Sequence, residues 1–114
     1  MTFEEFRESE PAKVTFTRLG VSQCLDEAAD WWDLRRRVVA ANADEDKYGW
    51  VVMRARKAYG VSSSGERAVL VAVLHACDFS RQADSLCKGE AWRRMESASG
   101  EWRRAMAACI AMEV

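Results

Sequence analysis

Between Ser22 and Ala41 the apolar positions Cys24, Leu25, Ala28, Trp31, Trp32, Val38 and Val39 recur at helical spacing, with Asp26, Asp30 and Asp33 on the opposite side. The pattern predicts one amphipathic helix, N-capped by Ser22 and closed at Asn42. Residues 46–59 predict a second helix, capped by Asp44 and stopped by Gly60, with a core stripe of Tyr48, Val51, Val52, Ala55, Ala58 and Tyr59. A strand is the alternative there, because Gly49 and the β-branched pair Val51 and Val52 disfavour a helix. Ser63 and Glu66 then have capping-box spacing, and the run from Ala68 to Cys77 is apolar on every side. Residues 66–77 therefore predict a central helix. Shorter helices are predicted from Ser80 to Cys87, from Glu90 to Ala98, and from Gly100 to Met112 behind a Ser99 cap.

Only the first twenty residues break this rhythm. Lys13 to Leu19 alternates and is rich in β-branched residues, so it predicts a short strand or extended arm after Pro11, with no second segment to pair with it. The expected fold is mainly α. It is a compact single domain over 1–114, with about five or six helices around 66–77 and a less ordered arm over 1–20.

The stretch "GEAWRRMESASGEWRRAM", residues 89 to 106, repeats a tryptophan followed by two arginines. Helical phase places Trp92 with Met95 and Ser99, and Trp102 with Ala105, Met106, Cys109 and Ile110, so both tryptophans are predicted to point inward. Arg94 and Arg104 fall on the far sides and Arg93 and Arg103 on the flanks. The four form a basic exterior, which is either a solvated face or a patch for an acidic protein or a phosphate backbone.

Composition changes this picture little, but charge distribution does. The 114 residues carry a formal net charge of −1. Residues 1–46 hold eleven acidic and six basic side chains, and residues 47–114 hold seven acidic and eleven basic. A dipolar surface follows. No apolar run is long enough for a membrane span, and the acidic start "MTFEEFRESE" is unlike a secretory signal, so a cytoplasmic protein is expected. Cys24, Cys77, Cys87 and Cys109 are scattered without metal-ligand spacing and are expected as free thiols, with no metal or other cofactor.

Two positions fit the amphipathic account poorly. Arg35 lies near the middle of the first predicted apolar face, beside Ala28, Trp31 and Val39, so its stem must pack while its guanidinium reaches solvent or stacks on Trp31. Trp50 falls opposite the core stripe of the second predicted helix, beside Met53, Arg54 and Lys57, a composition typical of interaction hot spots. Catalysis has little support. His75 sits on the apolar central helix without a nucleophile motif, "SSSGE" lacks phosphate-loop spacing, and Asp44, Glu45 and Asp46 read as a helix start.

The run "SSGERAVLVAVLHACDF" with "ADSL", "AWRRM" and "GEWRRAMAACIA", spanning about residues 62 to 111, resembles short uncharacterised proteins carried on phages, plasmids and integrated elements of GC-rich bacteria. In size and lack of enzymatic motifs the chain is similar to the small inhibitors such elements encode, anti-CRISPR proteins among them. The resemblance implies a non-enzymatic helical binding protein, monomeric or homodimeric, that occludes a site on a host protein or ribonucleoprotein complex. Trp50, Met53, Arg54 and Lys57 are its expected anchor. Arg35 joins them, and Asp26, Asp30 and Asp33 could imitate a phosphate backbone. The alternative is a nucleic-acid binder using Arg93, Arg94, Arg103 and Arg104.

Overall fold

The computed structural model describes residues 1–113, the side chain of Trp92 excepted, and all regular structure among them is helical. In chain order the elements are α1 (Phe3–Glu8), α2 (Glu10–Leu19), α3 (Ser22–Glu27), α4 (Trp31–Asn42), α5 (Trp50–Val61), α6 (Ser64–Ala76), α7 (Ser80–Leu86), α8 (Ala91–Glu96) and α9 (Gly100–Ala111). The mainly α expectation holds. The additional helices arise at the N-terminus and from the division of one predicted helix into two.

The centre is α6. Its capping box forms as the spacing predicts: the Ser63 N–H donates to Glu66 Oε1 (2.8 Å) and the Glu66 N–H to Ser63 Oγ (3.4 Å). Beyond that turn every side chain from Ala68 to Leu74 is buried. A helix with no polar face must be enclosed, and α2, α7, α8 and α9 pack around it.

The first twenty residues are two helices and not a strand or arm. Thr2 and Glu5 make a second capping box, Ser9 caps α2 by accepting from the Ala12 N–H, and Pro11 lies in the first turn of α2, where it lacks no bond that the helix needs. Ala12, Thr15, Phe16 and Leu19 then share one buried face. The alternation of Val14 and Phe16 was a coincidence of composition, and without a partner strand the helical period prevails. Phe3 and Phe6 meet Trp31, and Phe16 meets Phe6, in one aromatic cluster. Phe6 lies 4.7 Å from the Trp31 ring and 6.3 Å from Phe16, and Phe3 sits edge-on to Trp31 at 5.1 Å. The Trp31 indole N–H donates to the Glu113 carbonyl (2.8 Å), so both chain ends attach to one side chain.

The helix predicted through Ser22–Ala41 breaks at residues 28–30. Side chains satisfy the backbone groups freed by the break. Arg7 of α1 donates to the carbonyls of Asp26 and Ala28, Asp33 accepts from the Ala29 N–H (2.9 Å), and Asp30 caps α4 by accepting from the Asp33 N–H (2.8 Å). The break rotates α4 relative to α3. Leu34 consequently joins Leu25, Ala28, Trp31 and Val38 in the core, while Trp32 and Val39 are exposed. Phase differs similarly at Tyr48, which precedes the start of α5 and is exposed, and at Ile110, which is half-exposed near the end of α9. The inward position predicted for Trp92 lies outside the described residues.

Three measurements follow. Amide exchange should be slowest from Val69 to Leu74, because opening those bonds requires the surrounding helices to separate. Phe16→Ala should cost about 3 to 5 kcal/mol in urea unfolding, as truncation of a core aromatic does, whereas an arm residue would cost little. Acid stability should depend on Asp33 and Glu66. The Ala29 N–H, then Arg37 and Arg36, hold Asp33 below its ordinary pKa of 3.8, and the Ser63 N–H and Arg18 hold Glu66 below 4.5. Both groups favour the fold when ionised. Their contribution is present above the ordinary carboxylate range and is lost as pH falls through the lowered values. Asp33→Asn and Glu66→Gln should therefore flatten the fall in urea midpoint below about pH 4.5.

Candidate partner-binding groove

The sequence pattern predicts a helix over 46–59 from an Asp44 cap to a Gly60 stop; α5 instead runs from Trp50 to Val61. Residues 44–49 turn, and Asn42 takes over the capping role. Its Oδ1 accepts from the N–H groups of Val51 (3.0 Å) and Val52 (3.3 Å), and its carbonyl accepts from Gly49 N–H (2.8 Å). One residue thus ends α4 and starts α5. With its start fixed, α5 buries Val51, Ala55 and Ala58 and turns Trp50, Met53 and Lys57 outward.

Trp50, Met53, Arg54 and Lys57 line one open groove of about 380 Å³ with Arg18, Ala58 and Val61, a volume within the ~300 to 1,000 Å³ of ligand sites. Trp50 is 41% exposed and Met53 43%. Arg54 is held in place. Its Nε donates to the Arg18 carbonyl at the end of α2 (3.2 Å), and its guanidinium lies 5.9 Å from the Trp50 ring centroid. A Cβ on Gly20, the left-handed C-cap of α2 (φ +75°), would fall 2.7 Å from that Nε, so the backbone favours glycine and any larger residue would also displace the head of Arg54. Arg18 is fixed in turn by Ser62 Oγ (3.0 Å) and Glu66 Oε2 (3.2 Å). The groove is therefore an aromatic and thioether surface edged by positioned cations.

The other residues singled out in the sequence do not join it. Asp30 is the α4 cap and Asp33 is engaged by Ala29, Arg36 and Arg37, so neither presents a free carboxylate row. Asp26 is exposed on α3, beside Lys13. Arg35 stacks on Trp32 (4.7 Å to the centroid) instead of Trp31, and its Nε donates to the Ala76 carbonyl at the end of α6 (2.8 Å). Arg93 faces Glu90 (3.8 Å), Arg94 is half-buried, and Arg103 and Arg104 are exposed, without a carboxylate within 4.0 Å among the described residues.

A second cleft of about 440 Å³ opens where α6, α7 and α9 end, lined by Arg35, His75, Asp84, Met95, Ile110 and Met112 among others. Here the fold supplies partners that the sequence pattern concealed. His75 Nδ1 shares a hydrogen bond with Ser80 Oγ (2.9 Å), and Asp84 Oδ1 stands 3.7 Å from Nε2. Composition suggests a nucleophile, base and acid. The geometry argues for a link between α6 and α7: the carboxylate is beyond hydrogen-bonding distance, and Ser80 does not line the cleft. No group of three or more metal-ligating side chains forms among the described residues.

The cysteines are free thiols, and burial pushes Cys77 up to about 12 and Cys109 well above its ordinary value. Cys24 is raised by partial burial yet remains partly exposed. Native-state alkylation near neutral pH should therefore label Cys24 first, with Cys77, Cys87 and Cys109 reacting only on unfolding, as read by mass spectrometry. No protein-family model, curated protein or solved structure matches this chain.

Proposed function

We propose that this chain is a non-enzymatic helical protein-binding module, an inhibitor or accessory factor that occludes a site on a host protein or ribonucleoprotein complex. The observation that carries this reading is the convergence of Trp50, Met53, Arg54 and Lys57 on one open groove. A folding monomer gains nothing from half-exposing a tryptophan and a methionine side by side, whereas an interface gains an anchor. Positioned cations at the edge supply register and partner selection. The likeness in size and style to mobile-element inhibitors of the anti-CRISPR type is consistent with this role, and the described helices include none long and apolar enough to cross a membrane.

A second reading is nucleic-acid binding through the basic C-terminal half. It draws support from Arg103 and Arg104, which stand exposed without ion-pair partners among the described residues. Salt dependence separates the two: phosphate contacts weaken log-linearly with salt and lose several orders of magnitude in affinity, whereas an aromatic-anchored interface depends on salt far less.

Trp50→Ala should lower affinity for the complex captured from source cells by about 2 kcal/mol or more, and change stability by less than about 1 kcal/mol. Trp31→Ala, within the aromatic cluster, should instead cost about 3 to 5 kcal/mol of stability. If thermal melts show the two variants unfolding alike, Trp50 belongs to the core and the groove is not a binding face.

A further inference from the structure

The outer face of α5 has a distinctive charge pattern. The helix carries Arg54, Arg56 and Lys57 and no acidic residue, and none of the three has a carboxylate within 4.0 Å among the described residues. Tyr48, Trp50, Met53 and Val61 add exposed apolar surface along the same segment. The protein places an uncompensated basic edge beside an aromatic and aliphatic strip, and the complementary surface is acidic and apolar.

Gly60 supplies an independent observation. It lies inside α5, three residues after Lys57 and seven after Met53, and so on the same outer face. Its φ is not left-handed, and a Cβ built on it would meet nothing within 4 Å. In the last turn of α5, neither backbone conformation nor internal packing calls for glycine. What glycine contributes at such a position is bare backbone that another chain can approach closely.

The described residues contain no strand, so a partner segment has no sheet edge to extend, and an apolar strip along one helix edged by cations suits an amphipathic helix laid in the groove. The geometry points to an acidic amphipathic helix of a partner protein, seated across α5. Its backbone is closest over Gly60, its apolar side chains lie on Trp50, Met53 and Val61, and its carboxylates face Arg54 and Lys57. This inference rests on the reading of the groove as a protein-binding site.

The test is selection of displayed random peptides, about 16 residues long to span the ~18 Å of α5, on the full chain with counter-selection on Trp50→Ala. The expected peptides carry apolar residues at i, i+3 or i+4, and i+7, flanked by Asp or Glu. Replacing those acids by Gln or Asn should weaken binding about tenfold or more. Gly60→Leu should also weaken it about tenfold or more by filling the contact. Gly60→Ala should raise the melting temperature by a few degrees and Gly60→Leu should leave it unchanged or higher, because space around position 60 is open. Selected peptides without an acidic bias, or undiminished binding to Gly60→Leu, would overturn this inference and leave the groove as a binding site. Failure to select any Trp50-dependent peptide would overturn the groove reading and this inference with it.

Discussion

A helix that is apolar on every face cannot present any of them to water, and α6 imposes that condition on the rest of this chain. Its turns from Ala68 to Leu74 are buried, and no single neighbour can cover a cylinder, so helices from both ends of the sequence close around it. The N-terminal segment is drawn in for this reason: α2 packs on α6 as well as on α5. The desolvation of α6 thus organises elements that are far apart in sequence. The capping box at Ser63 and Glu66 fixes where that apolar cylinder starts, and the Glu66 carboxylate also pairs with Arg18, so the start of the central helix is tied to the wall of the groove.

Enclosing α6 leaves α5 at the margin. The inner face of α5 offers small buried residues, Val51, Ala55 and Ala58, to its neighbours, with Val52 and Tyr59 half-buried beside them, while Trp50, Met53 and Lys57 point away. Small residues let the helices approach closely. The outer face is consequently free of structural duty, which allows Trp50 and Met53 to be exposed without weakening the core. Rigidity comes from α2 instead. The Arg18 carbonyl holds Arg54 beside the Trp50 ring, in space that Gly20 leaves open by lacking a Cβ. A cation positioned in advance loses less freedom on binding than one that must be ordered by its partner.

Side chains at the helix junctions serve the same economy. Arg7 reaches two carbonyls at the 28–30 break while stacking over Phe3 (4.9 Å), Arg35 reaches the last turn of α6, and Arg67 reaches the Tyr59 carbonyl at the end of α5 (2.8 Å). Each guanidinium satisfies carbonyls that a helix end leaves without partners and places positive charge at the negative end of the dipole. These three arginines are therefore structural.

What the sequence determined alone was carried by short-range chemistry, although the Thr2–Glu5 box and the Ser9 cap, equally short-range, are masked by the alternation that follows Pro11. The Ser63–Glu66 box, the enclosure of Ala68–Leu74, the separate helices beginning at Ser80 and Gly100, and the outward grouping of Trp50, Met53, Arg54 and Lys57 all follow from caps and a 3.6-residue period. Three features depended on residues remote in sequence. The division of α3 from α4 requires Arg7, which lies 19 and 21 residues from the carbonyls it satisfies. The helicity of the first twenty residues requires Trp31 and the other aromatics that bury Phe3, Phe6 and Phe16, since a six-residue helix such as α1 is unstable alone. The surroundings of His75 require α7 to fold back so that Ser80 and Asp84 meet the ring. Local periodicity and caps select which face of a helix is apolar and where many helices begin, but where neighbouring residues leave helix-end carbonyls unpaired, as at Asp26, Ala28 and Ala76, the tertiary structure supplies the donor from a distance.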